Sequence, residues 1–269
     1  MPRYTRTATA PEPQAPWAWA WAGLAIGSLA ALVVFAPARW LASGLAQASQ
    51  QQVQLQMPQG TVWRGSAQLV LGANPDAAAG LPGRVQWALT PGWRGLGLEL
   101  QAPCCLSQGW RWDLGWGRSG MQLAPADLDA AQALRLPSAL LASLGTPWNT
   151  LALQGRLTLQ PQGFAVRWQD HKLTVQGQLQ LDALDISTRL TPLNPVGSYR
   201  LTLQGGDAPR LTLQTLNGAL QLQGQGHWTA GRLQFDGDAS AAPGSESALA
   251  NLLNIIGRRD GVRSIIHVG

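Results

Sequence analysis

From residue 53 onward the chain alternates apolar and polar side chains with a period of two, and it does so in run after run. The segment Leu151-Ala152-Leu153-Gln154-Gly155-Arg156-Leu157-Thr158-Leu159-Gln160 sets leucines on one face of an extended backbone and Gln, Thr and Arg on the other. Leu173-Thr174-Val175-Gln176-Gly177-Gln178-Leu179-Gln180-Leu181 repeats the pattern. A helix needs apolar positions every three to four residues, so these runs read as half-buried antiparallel strands. Similar runs occupy 53–56, 61–71, 84–89, 96–101, 197–204, 210–215, 219–223 and 232–236, and Gly or Pro falls between nearly all of them. Glycines inside runs, such as Gly155, Gly177 and Gly224, weaken a flat strand and mark bends or bulges where a sheet curls. The expected fold is therefore mainly β: a strongly curved antiparallel sheet, a half-barrel or groove, with a few short helices.

Two stretches depart from period two. Over 127–144, Asp127, Leu128, Ala131 and Leu134 with a break at Pro137 predict two short helices. Over 245–256, Ala248, Leu249, Leu252, Leu253 and Ile256 fall on one helical face, with Ser245 placed to cap the start and Gly257 to stop the end. That face must be buried, so the helix is expected to plug the sheet and to be followed by a last strand over 263–268.

The amino-terminal part is of a different kind. From Trp17 to Phe35 nineteen consecutive residues carry no charge, with Arg3 and Arg6 before them and Arg39 after. At 1.5 Å per residue this helix would span roughly 28 Å, close to the hydrocarbon core of a bilayer. Trp17, Trp19, Trp21 and Trp40 sit where interfacial aromatic belts are expected. Ala36-Pro37-Ala38 and, more loosely, Gly44-Leu45-Ala46 resemble signal-peptidase sites, but the apolar core of a signal peptide is only about 7 to 15 residues long. The segments expected are a short cytoplasmic tail over 1–16, a transmembrane helix over 17–36, a stalk over 37–52 and an extracytoplasmic domain over 53–269 closed by the helix at 245–256.

Composition removes most other classes. Only 12% of residues are charged, and Lys172 is the one lysine in a chain of net charge +5, so no clustered cations exist to track a phosphate backbone. The thirteen tryptophans suit a stacking platform or the face of a sheet built from small residues, and the second reading is preferred. His171, His227 and His267 lie on separate runs without Cys or paired acids at metal-ligand spacing. Gly115-Trp116-Gly117-Arg118-Ser119-Gly120 matches a dinucleotide-binding glycine pattern formally, but it opens no helix and reads as a turn between strands. No catalytic, cofactor-binding or metal-ligating residue is assigned, and the chain is not expected to be an enzyme. Cys104-Cys105 is the one reactive-looking feature. An oxidising compartment would close it into a ring, whereas a β-strand would point two small thiols to opposite faces, which is the preferred reading.

Several segments together carry a likeness: Gly60-Thr61-Val62-Trp63-Arg64-Gly65, the stretch 137–144 leading into Gly145-Thr146-Pro147-Trp148, Asn194-Pro195-Val196-Gly197-Ser198-Tyr199-Arg200-Leu201, the stretch 218–228, and Leu249-Ala250-Asn251-Leu252-Leu253-Asn254-Ile255-Ile256-Gly257-Arg258-Arg259. In order and spacing they resemble the N protein of the bacterial type II (general) secretion system. The resemblance implies a non-enzymatic accessory or assembly subunit in the inner membrane, single-pass, with its amino terminus cytoplasmic and its bulk periplasmic. It implies as partners the inner-membrane platform, the secretin or both, and no cofactor. The domain is also similar to AsmA-like envelope proteins, whose β-grooves in some members handle lipid, so the alternative is a periplasmic lipid-binding groove.

Overall fold

A computed structural model describes residues 17–72, 79–93, 95–117, 120–129, 132–138, 140–141, 151–169, 172–229 and 232–269. The chain divides into two units, one ending at Ala36 and one beginning at Pro37.

The first unit contains helix α1, Trp17–Val34, and the Phe35 N–H still donates to the Ala31 carbonyl at 2.9 Å. Its Trp17, Trp19, Trp21, Leu24, Ile26 and Leu29 side chains are all exposed. The transmembrane span expected over 17–36 is not shown as such: no helix among the described residues is long and apolar enough to cross a membrane. α1 rises about 27 Å over its eighteen residues, and its long aliphatic side chains begin at Leu24, after alternating Trp and Ala.

In the second unit, residues expected to form a stalk are helix α2, Ala38–Ala48, which lies on the sheet: Ala38 is buried with Ala67 and Trp87, and Leu41 packs on them. Among the described residues, sixteen strands then form one sheet. They are β1 (Val53–Gly60), β2 (Arg64–Leu71), β3 (Ala79–Gly80), β4 (Val85–Gly92), β5 (Gly95–Gln101), β6 (Trp110–Gly117), β7 (Gly120–Pro125), β8 (Leu134–Pro137), β9 (Gln154–Gln169), β10 (Lys172–Ser187), β11 (Gly197–Gln204), β12 (Arg210–Gly218), β13 (Leu220–Thr229), β14 (Arg232–Ala241), β15 (Arg258–Asp260) and β16 (Arg263–Val268). The order is β1-β2-β4-β5-β6-β7-β9-β10-β11-β12-β13-β14-β16-β15, with β3 on β2 and β8 on β9. The pairs are antiparallel, and the path ends at β1 and β15, so the sheet is open.

Period two becomes two faces. Leu157 faces Ala183, Leu159 faces Leu181, Leu201 faces Leu213, and Leu222 faces Ala239, all on one core face. On β9 the apolar positions change parity, from Leu157, Leu159 and Pro161 to Val166 and Trp168. A register shift between Gln176 and Gln178 of the partner strand absorbs the change. Gly163 (φ +56°) and Gly177 (φ +75°) stand at this bulge, and a Cβ on Gly177 would overlap the Gly163 carbonyl. The bulge thus keeps both halves of β9 aimed at the same side.

The first of the two helices expected over 127–144 is corrected by the structure; beyond Pro137 the described residues Ser138, Leu140 and Leu141 have short-helical backbone. Leu134 and Leu136 instead alternate as strand β8 and pair with Leu159 and Leu157 of β9. Two neighbouring leucines of matching period hold this short segment better than isolated helical turns would, since helices this short are marginal in water. Ala131, residues 142–144 and Gly145-Thr146-Pro147-Trp148 lie outside the described residues.

Helix α3, Glu246–Ile256, forms where expected. Leu249, Leu252 and Leu253 are buried against Leu157, Ile186, Val196, Tyr199, Leu220 and Ala239. Thr191 Oγ1 donates to the Ala248 carbonyl at 2.8 Å and Ser264 Oγ to that of Leu253 at 2.7 Å. Ser245 occupies the cap position without a side-chain cap hydrogen bond. Gly257 ends the helix in an extended conformation, and the carbonyl of Ile265 lies so close that only glycine fits. β16 follows, as the sequence predicts, on the edge of β14.

Leu253→Ala should cost about 2–5 kcal/mol, a large part of the roughly 5–15 kcal/mol that holds a domain folded. Ile255→Ala, on the exposed side of the same helix, should cost less than about 1 kcal/mol. Urea unfolding of the full chain followed by tryptophan fluorescence checks both, and equal losses would show that α3 does not dock through this face.

Candidate functional site

Titratable groups do not gather. Among the described residues no three His, Cys, Asp or Glu side chains come together. Arg200 holds Asp182 through two hydrogen bonds, 2.7 and 2.9 Å, across β10 and β11, and Gln180 donates to the same carboxylate at 3.1 Å. This bond to Asp182 raises the guanidinium above its ordinary pKa. His267 Nδ1 lies 2.6 Å from Asp236 on the neighbouring strand, with both side chains exposed. Arg156 pairs with Asp185 in solvent. His227 faces Arg210 and Gln234 from an exposed position on β13, and His171 lies outside the described residues. These are ladder contacts between neighbouring strands.

A groove of about 540 Å³ crosses β1, β2, β4 and β5 on the polar face, lined by Gln59, Arg64, Ser66, Gln86, Glu99 and Gln101 among others. Gln101 donates to Glu99 at 3.1 Å. One carboxylate, one guanidinium and neutral amides can hydrogen-bond a polar ligand, but the groove contains no nucleophile beside a base.

The vicinal cysteines correct an expectation. Cys104 and Cys105 are joined as a disulfide. They sit in a turn after β5, where the N–H groups of Cys105 and Leu106 both donate to the Ala102 carbonyl, at 2.9 and 2.8 Å, so the backbone does not alternate as a strand would. Cys105 is buried beside Leu81, Ala102 and Leu140, while Cys104 is exposed.

The core face itself is unevenly used. The turns β1–β2, β4–β5, β6–β7, β9–β10, β11–β12 and β13–β14 all fall at one end of the strands, the tip end, whereas α3 packs at the opposite, base end. At the tip end the register aligns Trp116 with Met121, Met121 with Trp168, and Trp168 with Leu173. These four neighbours are 51%, 52%, 55% and 58% exposed, which makes them one uncovered apolar row and not part of the core. Behind them Leu114, Leu123, Val166 and Val175 form a second row, and Trp93 projects from the β4–β5 turn. Tryptophan as core filler describes Trp87 and Trp110, which are buried and donate to the carbonyls of Val62 and Ala126 at 3.0 Å each. It does not describe the tip row. Sequence reasoning missed that row because β6 and β7 had not been separated as strands, and only the pairing brings residues 116, 121, 168 and 173 side by side. At its base end the core face is covered by α3.

The described residues thus form an open antiparallel β-domain, plugged at one end by a helix and bridged between neighbouring strands by a few ion pairs. Residues 51–265 match the model of the type II secretion system (T2SS) protein N family, and the chain belongs to that family. Membership implies a role in type II secretion at the cell envelope, in a family of generally non-enzymatic secretion components. No curated protein and no solved structure matches the chain.

Asp182→Ala should destabilise the domain by about 1–3 kcal/mol, because Arg200 is left partly buried without its acceptor. In a double-mutant cycle with Arg200→Ala, thermal unfolding should show the two losses to be strongly non-additive, and simple additivity would show that the pair is not coupled.

Proposed function

We propose that this chain is an accessory or assembly subunit of the type II secretion apparatus, held in the inner membrane by α1 and working through residues 37–269 in the periplasm. The family match over residues 51–265 carries this reading. Three physical observations support the topology. With Phe35 and Ala36 added to α1, the uncharged stretch reaches twenty residues, about the 30 Å of a bilayer core. Its leucine and isoleucine side chains are exposed, an arrangement stable in lipid and costly in water. The disulfide at Cys104–Cys105 suits an oxidising compartment. The partners are other subunits of the machine, in the inner-membrane platform, the secretin or both, and binding uses the fold's surfaces and not a reaction.

Deleting the gene in the native host should sharply reduce export of a secretion substrate, and a full-length copy should restore it. Normal export, normal secretin assembly and no machine subunit co-purifying with the tagged chain would together overturn the proposal.

A further inference from the structure

We infer that the tip end of the sheet is a membrane-contacting face, on which the row Trp116, Met121, Trp168 and Leu173 enters the headgroup layer of a phospholipid bilayer. The inference rests on the reading of α1 as an anchor in that same membrane.

Chemistry selects the occupant. Exposed contiguous apolar rows of this size mark interaction sites, and this one is half tryptophan, the residue whose amphipathic ring settles at the headgroup level. Exposed Lys172 stands at the tip end of β10, one residue before Leu173, where its long side chain can keep an aliphatic stem in the apolar layer while the cation meets lipid phosphates; Arg167 lies on the opposite face, bonded to Gln122. No carboxylate belongs to either apolar row. Trp93, 99% exposed at the β4–β5 turn, lies at the same end.

Connectivity places a membrane there. Pro37, the first residue of the domain, bridges to Thr61 in the β1–β2 turn, and the Leu89 N–H donates to the Trp63 carbonyl at 2.7 Å. The domain's first residue therefore lies at its tip end, not at the end closed by α3. From β2 the apolar row begins three strands away at β6 and ends six strands away at β10. At about 4.8 Å per strand it lies roughly 14 to 29 Å along the sheet from the point where the chain enters, within reach of one bilayer surface.

Site-directed spin labelling of the full chain in vesicles of phosphatidylethanolamine and phosphatidylglycerol tests this. A maleimide nitroxide reacts with one introduced thiol alone, because the native cysteines are joined. Labels at Met121→Cys and Leu173→Cys should show oxygen accessibility raised several-fold over that of a water-soluble nickel chelate, as at Leu29→Cys in α1. A label at Asn217→Cys, exposed at the base end, should show the aqueous ratio. A lipid signature at Leu29 with aqueous ratios at both Met121 and Leu173 would overturn the membrane face alone, the twist of the sheet having carried the row away from the bilayer. Labels at 121 and 173 shielded from both reagents would also overturn it, in favour of a protein on the row. An aqueous ratio at Leu29 would instead overturn the anchor on which the inference stands.

Discussion

The burial of one face of α3 is the interaction on which the rest of the domain depends. A sheet this long has more apolar surface on its core face than its own strands can hide, because antiparallel neighbours cover edges and not faces. Leu249, Leu252 and Leu253 supply the missing layer for the strands from β9 to β16. The two hydroxyl bonds from Thr191 and Ser264 to carbonyls of the helix then fix where along the sheet it lies. Gly257 lets the chain turn at once into β15 and β16, so the helix and the strand that extends the sheet edge are bound to one another.

The amino-terminal side solves the same problem with less material. α2 brings Ala38 and Leu41 over Ala67 and Trp87, and a small third cluster around Leu81, Ala102, Cys105 and Leu140 joins the turns at the base end. Three separate cores along one sheet leave the tip ends of β6, β7, β9 and β10 without a cover. That asymmetry follows from where the helices occur in the chain. Among the described residues, α2 and α3 each pack on the domain through one apolar stripe, and neither covers the row that begins at Trp116. That uncovered row is the surface on which the inferred membrane contact rests.

Much of this was legible in the sequence. Period two forecast the strands at 197–204 and 263–268 with their observed limits, and an apolar stripe forecast α3, because alternation and helical spacing report directly which side chains share a face. The β6–β7 hairpin was legible only as a turn, since its glycines and tryptophans obscure alternation. β8 was misread as helix because its four residues lie in an Ala- and Leu-rich stretch and carry too little pattern to distinguish the periods. The cysteine pair was read as strand, and its true state depended on a turn made by two backbone hydrogen bonds to Ala102.

What the sequence by itself determined is local: an uncharged first helix, extended runs with one apolar face, a final amphipathic helix, and no clustered charge to bind nucleic acid. These follow from side-chain spacing and need no knowledge of neighbours. The tertiary structure alone decided the strand order, the bulge at Gly163 and Gly177 that keeps β9 in phase, the closure of Cys104 onto Cys105, and the alignment of Trp116, Met121, Trp168 and Leu173 in one row. Each of these joins residues whose proximity depends on pairing register or a tertiary turn, and a one-residue slip in register would send every side chain of a strand to the other face.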